Sequence, residues 1–161
     1  MGFKIGDKVI HGTYGLGEIV RIEEKVIRDQ LVNCYVLRAN DLTIWIPINE
    51  LDQHSLREPV SPEDFAKLFS VLSGPAEPLP EDRVLRKDQL MAQIRDGCLN
   101  GICCTVRDLT HYQRHAKMND NDRAILERAT RSLLVEWTFV LNVPMVQAQQ
   151  SLVQLLAQTS E

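Results

Sequence analysis

The spacing of apolar residues changes near residue 60, and this change limits the folds open to the chain. Before it, short runs rich in β-branched residues are separated by glycine-containing and asparagine-containing turns. These runs cover residues 8–11, 18–23, 33–38 and 42–46. After it, apolar residues recur every three to four positions, the period of an amphipathic helix. We therefore predict an α+β fold, with a strand domain over residues 1–58 and a compact helical domain over residues 61–161.

The predicted strands follow one another too closely for a helix to lie between them. Asn40-Asp41 suits a tight hairpin turn. Pro47 should end the last strand, because proline cannot donate a hydrogen bond to the ladder. Four or five short antiparallel strands within about 55 residues favour a small barrel that closes its own edges.

The helical domain is predicted to contain about five helices. Ser61-Pro62-Glu63-Asp64 is a helix-start signature, with a hydroxyl cap, proline at the first helical position and a carboxylate three residues after the cap. Three prolines and a glycine make residues 73–80 a stiff connector. A second helix is predicted over residues 81–96, with Leu85 among its inward side chains. The remaining helices are predicted over residues 100–114, 119–141 and 143–158.

Charge and hydropathy exclude several classes of protein. No apolar run reaches the roughly 18 residues that a membrane-spanning helix needs, and residues 1–7 lack the apolar segment of a secretion signal. We therefore expect a cytoplasmic protein without a membrane partner. The net charge of −4 disfavours bulk coating of nucleic acid, because such binding needs many phosphate contacts. Any contact with DNA should be local.

The cysteines and histidines form no strong catalytic or metal motif. Cys104, His111 and His115 occupy positions i, i+7 and i+11 of a predicted helix, whereas structural zinc sites usually have paired cysteines two to four residues apart. Cys103 and Cys104 lie inside an amphipathic pattern, with no loop that could form an oxyanion hole. We expect reduced thiols, no metal, no cofactor and no enzymatic activity.

Several segments of the strand domain, with one in the helical domain, occur together in a known family. They are residues 3–9 (FKIGDKV), 14–19 (YGLGEI), 22–23 (IE), 35–37 (YVL), 46–47 (IP) and 106–109 (VRDL). In this order they resemble the CarD/CdnL family of bacterial transcription regulators. The strand domain also resembles the RNA polymerase-interacting domain of the transcription-repair coupling factor. That factor is a large ATPase, and this chain has no phosphate-binding G-x-x-x-x-G-K-[ST] loop, so the short CarD/CdnL type is the closer relative.

The resemblance implies a fold and a set of partners. The strand domain should be a Tudor-like barrel that binds the β subunit of RNA polymerase, and the helical domain should contact promoter DNA at the upstream edge of the bubble. Such regulators change the lifetime of the open complex. An adaptor that binds polymerase without touching DNA is the alternative. Because closing its own bundle explains the apolar face of the last helix, we expect a monomer.

The residues implied to face polymerase are Lys25, Leu42 and Trp45. Relatives commonly have a basic residue where this chain has Trp45. Strand alternation places Trp45 opposite Ile44 and Ile46, so its side chain faces outward if those aliphatic residues form the core. An exposed tryptophan suits a protein interface. Coverage of Trp45 by the helical domain is the other interpretation.

The residues implied to contact DNA lie on the second predicted helix. Relatives carry a wedge tryptophan just after the connector, and the corresponding position here is Arg83. Arg83, Arg86 and Lys87 are spaced i, i+3 and i+4, so they can project from one face toward a minor groove. An ordinary solvated helix face is the alternative. Asp88 replaces a phosphate-contacting base, so we expect a weak and salt-sensitive contact.

Overall fold

The fold consists of an antiparallel sheet followed by a set of packed helices. The computed structural model describes residues 2–50, 56–95 and 97–158. Four strands precede five helices in this part of the chain. The chain divides into two compact units, Met1–Pro59 and Val60–Glu161. The predicted α+β class, with strands first and helices second, is confirmed.

The N-terminal unit is a four-stranded half-barrel in which each strand pairs with the next. The strands are β1 (Lys8–His11), β2 (Gly15–Ile27), β3 (Gln30–Ala39) and β4 (Leu42–Pro47). All three pairings are antiparallel, in the order β1-β2-β3-β4. Ile10 and Arg57 also exchange two backbone hydrogen bonds, of 2.7 and 2.9 Å. This bridge continues the sheet beyond β1.

The two long strands form a hairpin whose turn is set by backbone geometry. Arg28 and Asp29 have φ values of 52° and 63°, the left-handed conformation that two-residue hairpin turns require. Asn40 has φ 55° in the predicted turn between β3 and β4. The pairing register shifts between Ile19 and Arg21, which marks a bulge in β2.

One face of the half-barrel forms its hydrophobic core. The core side chains are at most 3% exposed and are Val9, Ile19, Tyr35, Leu37 and Ile46. Gly17 permits the close packing of β2 on β3, because a Cβ there would lie 2.8 Å from the Arg38 carbonyl oxygen. The glycine at this position of the YGLGEI segment is therefore required by packing.

The C-terminal unit contains five helices that share one core. They are α1 (Pro62–Leu72), α2 (Arg83–Ile94), α3 (Leu99–Tyr112), α4 (Asp120–Leu141) and α5 (Met145–Ala157). Every helix contributes buried apolar side chains to this core, among them Phe65, Leu90, Leu109, Trp137 and Leu152. No helix in the described part of the chain is long and apolar enough to cross a bilayer.

The helix ends follow the capping signals in the sequence. The Ser61 hydroxyl accepts a hydrogen bond from the Asp64 backbone nitrogen at 3.1 Å, as its motif predicts. Asn119 and Asp122 form a reciprocal capping box at the start of α4. Helix α2 begins two residues later than predicted because Asp82 caps it. Asp96, where the predicted helix ends, lies outside the described residues.

The VRDL segment of α3 fixes the proline-rich connector. Asp108 is 1% exposed, and its Oδ1 accepts hydrogen bonds from the Glu77 backbone nitrogen at 3.0 Å and from Arg107 Nε at 2.9 Å. Arg107 Nη1 donates to the Val71 carbonyl oxygen at 3.2 Å. Adjacent Arg and Asp side chains thus hold the end of α1 and the connector against α3.

Candidate docking surfaces

A tryptophan and three charged side chains meet on the outer face of the sheet, opposite the core. Trp45 of β4 pairs with Val36 of β3, and Val36 pairs with Arg21 of β2. Because side chains alternate along a strand, every second residue of β2 after Arg21 shares this face. We call Arg21, Glu23, Lys25 and Trp45 the outer-face cluster.

The members of the outer-face cluster are joined by polar and cation–π contacts. The Trp45 indole Nε1–H donates to Glu23 Oε1, and Arg21 Nε donates to Glu23 Oε2 at 2.7 Å. Lys25 Nζ lies 3.8 Å from the centroid of the Trp45 ring, within the range of a cation–π interaction. The hydrogen bonds from Arg21 and then Trp45 lower the pKa of Glu23, so this carboxylate is ionised at neutral pH.

The structure brings together two of the three side chains implied to face polymerase. Lys25 is exposed and stacks on Trp45, which is half-buried and lies on the face away from the core. Leu42 is 51% exposed, but alternation along β4 places it on the other face. Sequence reasoning did not identify Arg21 and Glu23. The sequence could have indicated them, because Arg21, Glu23 and Lys25 occupy alternate positions of one strand and so share a face.

The outer face is basic, although the whole chain has a net charge of −4. The charged residues that the pairing of β1, β2 and β3 places on this face are Lys8, Glu18, Arg21, Glu23, Lys25 and Arg38. These four cations and two carboxylates give this face of the three strands a local charge of +2. The Lys8 ammonium contacts Glu18 at 2.8 Å, and Glu18 pairs across the sheet with Arg38. This face is suited to an acidic partner.

Arg86 of α2 does not share a solvent-facing surface with Arg83 and Lys87, which corrects the predicted arrangement. Its side chain is buried, and its Nε and Nη2 each donate to an Asp122 oxygen at 2.9 Å. Its Nη1 donates to the carbonyl oxygens of Pro80 and Glu81 at 3.0 and 3.1 Å. The guanidinium carbon lies 4.9 Å from the Tyr112 ring centroid. With these donors engaged inside the protein, Arg86 does not present its guanidinium on the surface of α2.

The first turn of α2 exposes two aliphatic side chains that sequence reasoning did not place on the surface. Val84 and Leu85 are 61% and 60% exposed, so the inward position predicted for Leu85 is wrong. Helical spacing allowed either Leu85 or Arg86 to face the core of the helical unit. Arg86 faces the core because it pairs with Asp122 there. Arg83 and Lys87 are exposed, as predicted. Their contact with DNA stays a prediction.

Cys103, His111 and His115 lie on α3 or just after it. In the described residues, no group of three or more potential ligands could hold a metal ion. The rings of His111 and His115 lie 4.7 Å apart near the end of α3. Burial raises the pKa of Cys103 to about 12, which keeps it a protonated thiol at neutral pH.

Both units of the chain match known protein families. Residues 3–60 match the CarD-like/TRCF RID domain, and residues 67–153 match the CarD C-terminal domain. The chain belongs to the CarD family. The resemblance predicted from its short segments is therefore confirmed, as is an N-terminal domain of the RNA polymerase-interacting type. These are families of transcription regulators and not of enzymes.

A curated relative covers most of this CarD-family chain. It is a protein of Bacillus subtilis (strain 168) named "Putative transcription factor YdeB". The two sequences are 26% identical over 140 residues, and the match covers 83% of this chain and 89% of the relative. The similarity therefore extends over both units.

Proposed function

We propose that this CarD-family protein binds the β subunit of RNA polymerase through the outer-face cluster and adjusts the stability of the promoter open complex. The observation that carries the proposal is the match of residues 3–60 to a polymerase-interacting domain, together with the contact of Lys25 with Trp45 on its outer face. In this proposal the protein acts as a monomer in the cytoplasm, where polymerase works, and needs no cofactor.

The chemistry of the outer face supports binding to an acidic protein surface. Trp45 offers a large apolar area, and tryptophan is enriched among residues that dominate binding energy. Lys25 adds a cation directly over the indole ring. The local charge of +2 favours encounter with an acidic patch and makes the association rate sensitive to salt.

The DNA contact is proposed for the first turns of α2. Arg83 and Lys87 are exposed there, and the buried pairing of Arg86 with Asp122 holds this end of the helix in place. Glu81, Asp82 and Asp88 outnumber these two cations, so the contact should be weak and confined to a few phosphates at the upstream edge of the bubble.

Trp45→Ala tests the polymerase contact. Loss of the indole should weaken binding to RNA polymerase by about tenfold or more, as for other central interface tryptophans. Thr43→Ala is the matched control, because Thr43 is exposed on the same face of the same strand. Biolayer interferometry with immobilised core polymerase measures both. Equal dissociation constants for Trp45→Ala and the unaltered protein would contradict docking through this side chain.

An Arg83→Ala, Lys87→Ala double variant tests the DNA contact. We expect unchanged binding to polymerase and a shorter open-complex lifetime, because two phosphate contacts are removed. Arg95→Ala is the control, since Arg95 is an exposed cation at the opposite end of α2. Competitor-challenge kinetics on a promoter fragment give the lifetime. A lifetime equal to that with the unaltered protein would reject the DNA contact.

One observation favours the adaptor as a second candidate function. Val84 and Leu85 expose aliphatic surface beside carboxylates, a mixture that is typical of protein interfaces. A Val84→Ser, Leu85→Ser double variant should leave the open-complex lifetime unchanged if the helices bind another protein. A shortened lifetime would favour direct contact with DNA.

A further inference from the structure

The indole of Trp45 is held on two sides in the free protein. Its single polar atom, Nε1, donates to Glu23, and one face of the ring lies under the Lys25 ammonium. A tryptophan on a solvated strand would otherwise sample several rotamers. The orientation of Trp45 is thus set by two residues of β2 before any partner binds.

Glu23 is itself fixed and charged. Arg21 Nε donates to its second oxygen at 2.7 Å, and this bond together with the one from Trp45 lowers the pKa of Glu23. A hydrogen bond to an ionised acceptor is stronger than one between neutral groups. Glu23 therefore holds the indole through a charge-assisted bond.

The bond between Glu23 and Trp45 crosses a whole strand. Glu23 pairs with Cys34 of β3, and Val36 of β3 pairs with Trp45. Cys34 and Val36 are both fully buried. The side chains of Glu23 and Trp45 therefore meet above β3 and link β2 with β4 on the outer face.

We infer that Glu23 is a positioning residue for polymerase docking, which it serves by fixing Trp45 in its docking orientation. The inference rests on the proposed role of Trp45. Ordering a side chain on binding weakens association, so prior ordering by Glu23 should tighten binding by about three- to tenfold. Because Nε1–H already has an acceptor, Trp45 presents ring surface and the Lys25 cation. The matching polymerase surface is apolar and bordered by a carboxylate.

A double-mutant cycle between Glu23 and Trp45 tests this role. Glu23→Ala should weaken polymerase binding by about three- to tenfold. Glu23→Gln keeps an acceptor and should retain part of the affinity. In a Trp45→Phe background, which lacks the indole N–H, Glu23→Ala should have no further effect. Glu24→Ala is the matched control: it removes the same charge from the neighbouring exposed position, on the opposite face of β2.

A spectroscopic measurement on the free protein accompanies the cycle. The indole ¹H–¹⁵N signal of Trp45 should shift in Glu23→Ala and stay in place in Glu24→Ala, with both variants keeping the melting temperature of the unaltered protein.

Three outcomes separate this inference from the proposed docking. Normal binding by Glu23→Ala with weak binding by Trp45→Ala overturns the positioning role and leaves docking intact. An equal loss from Glu23→Ala in the Trp45→Phe background also overturns it, because the effect then bypasses the indole N–H. If Trp45→Ala binds normally, the docking proposal fails and the inference fails with it.

Discussion

At the scale of single residues, the buried ion pair of Arg86 and Asp122 joins two helices. Their side chains are 4% and 1% exposed. Arg86 donates two hydrogen bonds to Asp122, one to each carboxylate oxygen. Asp122 also accepts a hydrogen bond from the Asn119 backbone nitrogen at 3.1 Å as part of the α4 capping box. One carboxylate therefore links the start of α2 to the start of α4.

Removing this carboxylate should strongly destabilise the helical unit. Asp122→Ala leaves the Arg86 guanidinium buried without its counter-ion, which typically costs about 3–5 kcal/mol of unfolding free energy. Urea titration followed by Trp137 fluorescence measures the loss. Asp120→Ala is the control, because Asp120 belongs to an exposed ion pair with Arg123 and should change stability by less than about 1 kcal/mol. Similar effects of the two substitutions would contradict a structural role for the buried pair.

Local spacing could not predict the orientation of Arg86. Three cations at i, i+3 and i+4 usually mark a solvated face, and the partner that turns Arg86 inward lies 36 residues away. The outward position of Trp45 was accessible from the sequence, because strand alternation depends only on neighbouring residues. Its bond to Glu23 was not, because the strand register that brings them together depends on the hairpin turns.

At the scale of secondary-structure elements, α2 and α3 approach each other at Gly101. A Cβ at this position would lie 2.1 Å from the Gln93 carbonyl oxygen, which is backbone and cannot rotate away. The glycine therefore permits the close crossing of the two helices, despite its poor intrinsic helix propensity.

Gly101→Ala should destabilise the helical unit although alanine favours helix. Steric displacement of α2 should cost about 1–3 kcal/mol, which exceeds the gain of about 1 kcal/mol in helix propensity. Asn100→Ala gives the matched control, because Asn100 is exposed and lies beside Gly101 in the same helix. Thermal melting by far-ultraviolet circular dichroism compares them. A higher melting temperature for Gly101→Ala would show that α2 and α3 are not in tight contact there.

Most helices were predictable because their signals are local. The caps at Ser61 and Asn119 and the prolines of the connector fix helix starts and breaks without reference to the rest of the chain. The strand β2 is longer than predicted, extending over Gly15–Ile27. Its distal residues, such as Glu24 and Val26, are exposed on the hairpin, so no buried face imposes an alternating pattern there.

At the scale of the whole molecule, each unit has its own hydrophobic core. Every buried residue of the sheet core precedes residue 47, and every buried residue of the helical core follows residue 64. The change in apolar spacing near residue 60 predicted strands before it and helices after it, because strands and helices bury their side chains with different periods. The identity of a partner has no such periodic signal. The expected partner, RNA polymerase, was inferred from the short segments that resemble the CarD/CdnL family.

The two tryptophans give each unit its own reporter, since Trp45 lies on the sheet and Trp137 is 2% exposed in the helical core. We predict that Leu109→Ala lowers the unfolding free energy reported by Trp137 by about 2–5 kcal/mol, because it opens a cavity in the helical core. The transition reported by Trp45 should stay in place, because Leu109 contributes nothing to the sheet core. Urea titrations in Trp45→Phe and Trp137→Phe backgrounds isolate each signal. Ile46→Ala should give the reciprocal result, a shift of the transition reported by Trp45 alone. Equal shifts of both transitions would mean that the chain unfolds as one cooperative body, despite its two cores.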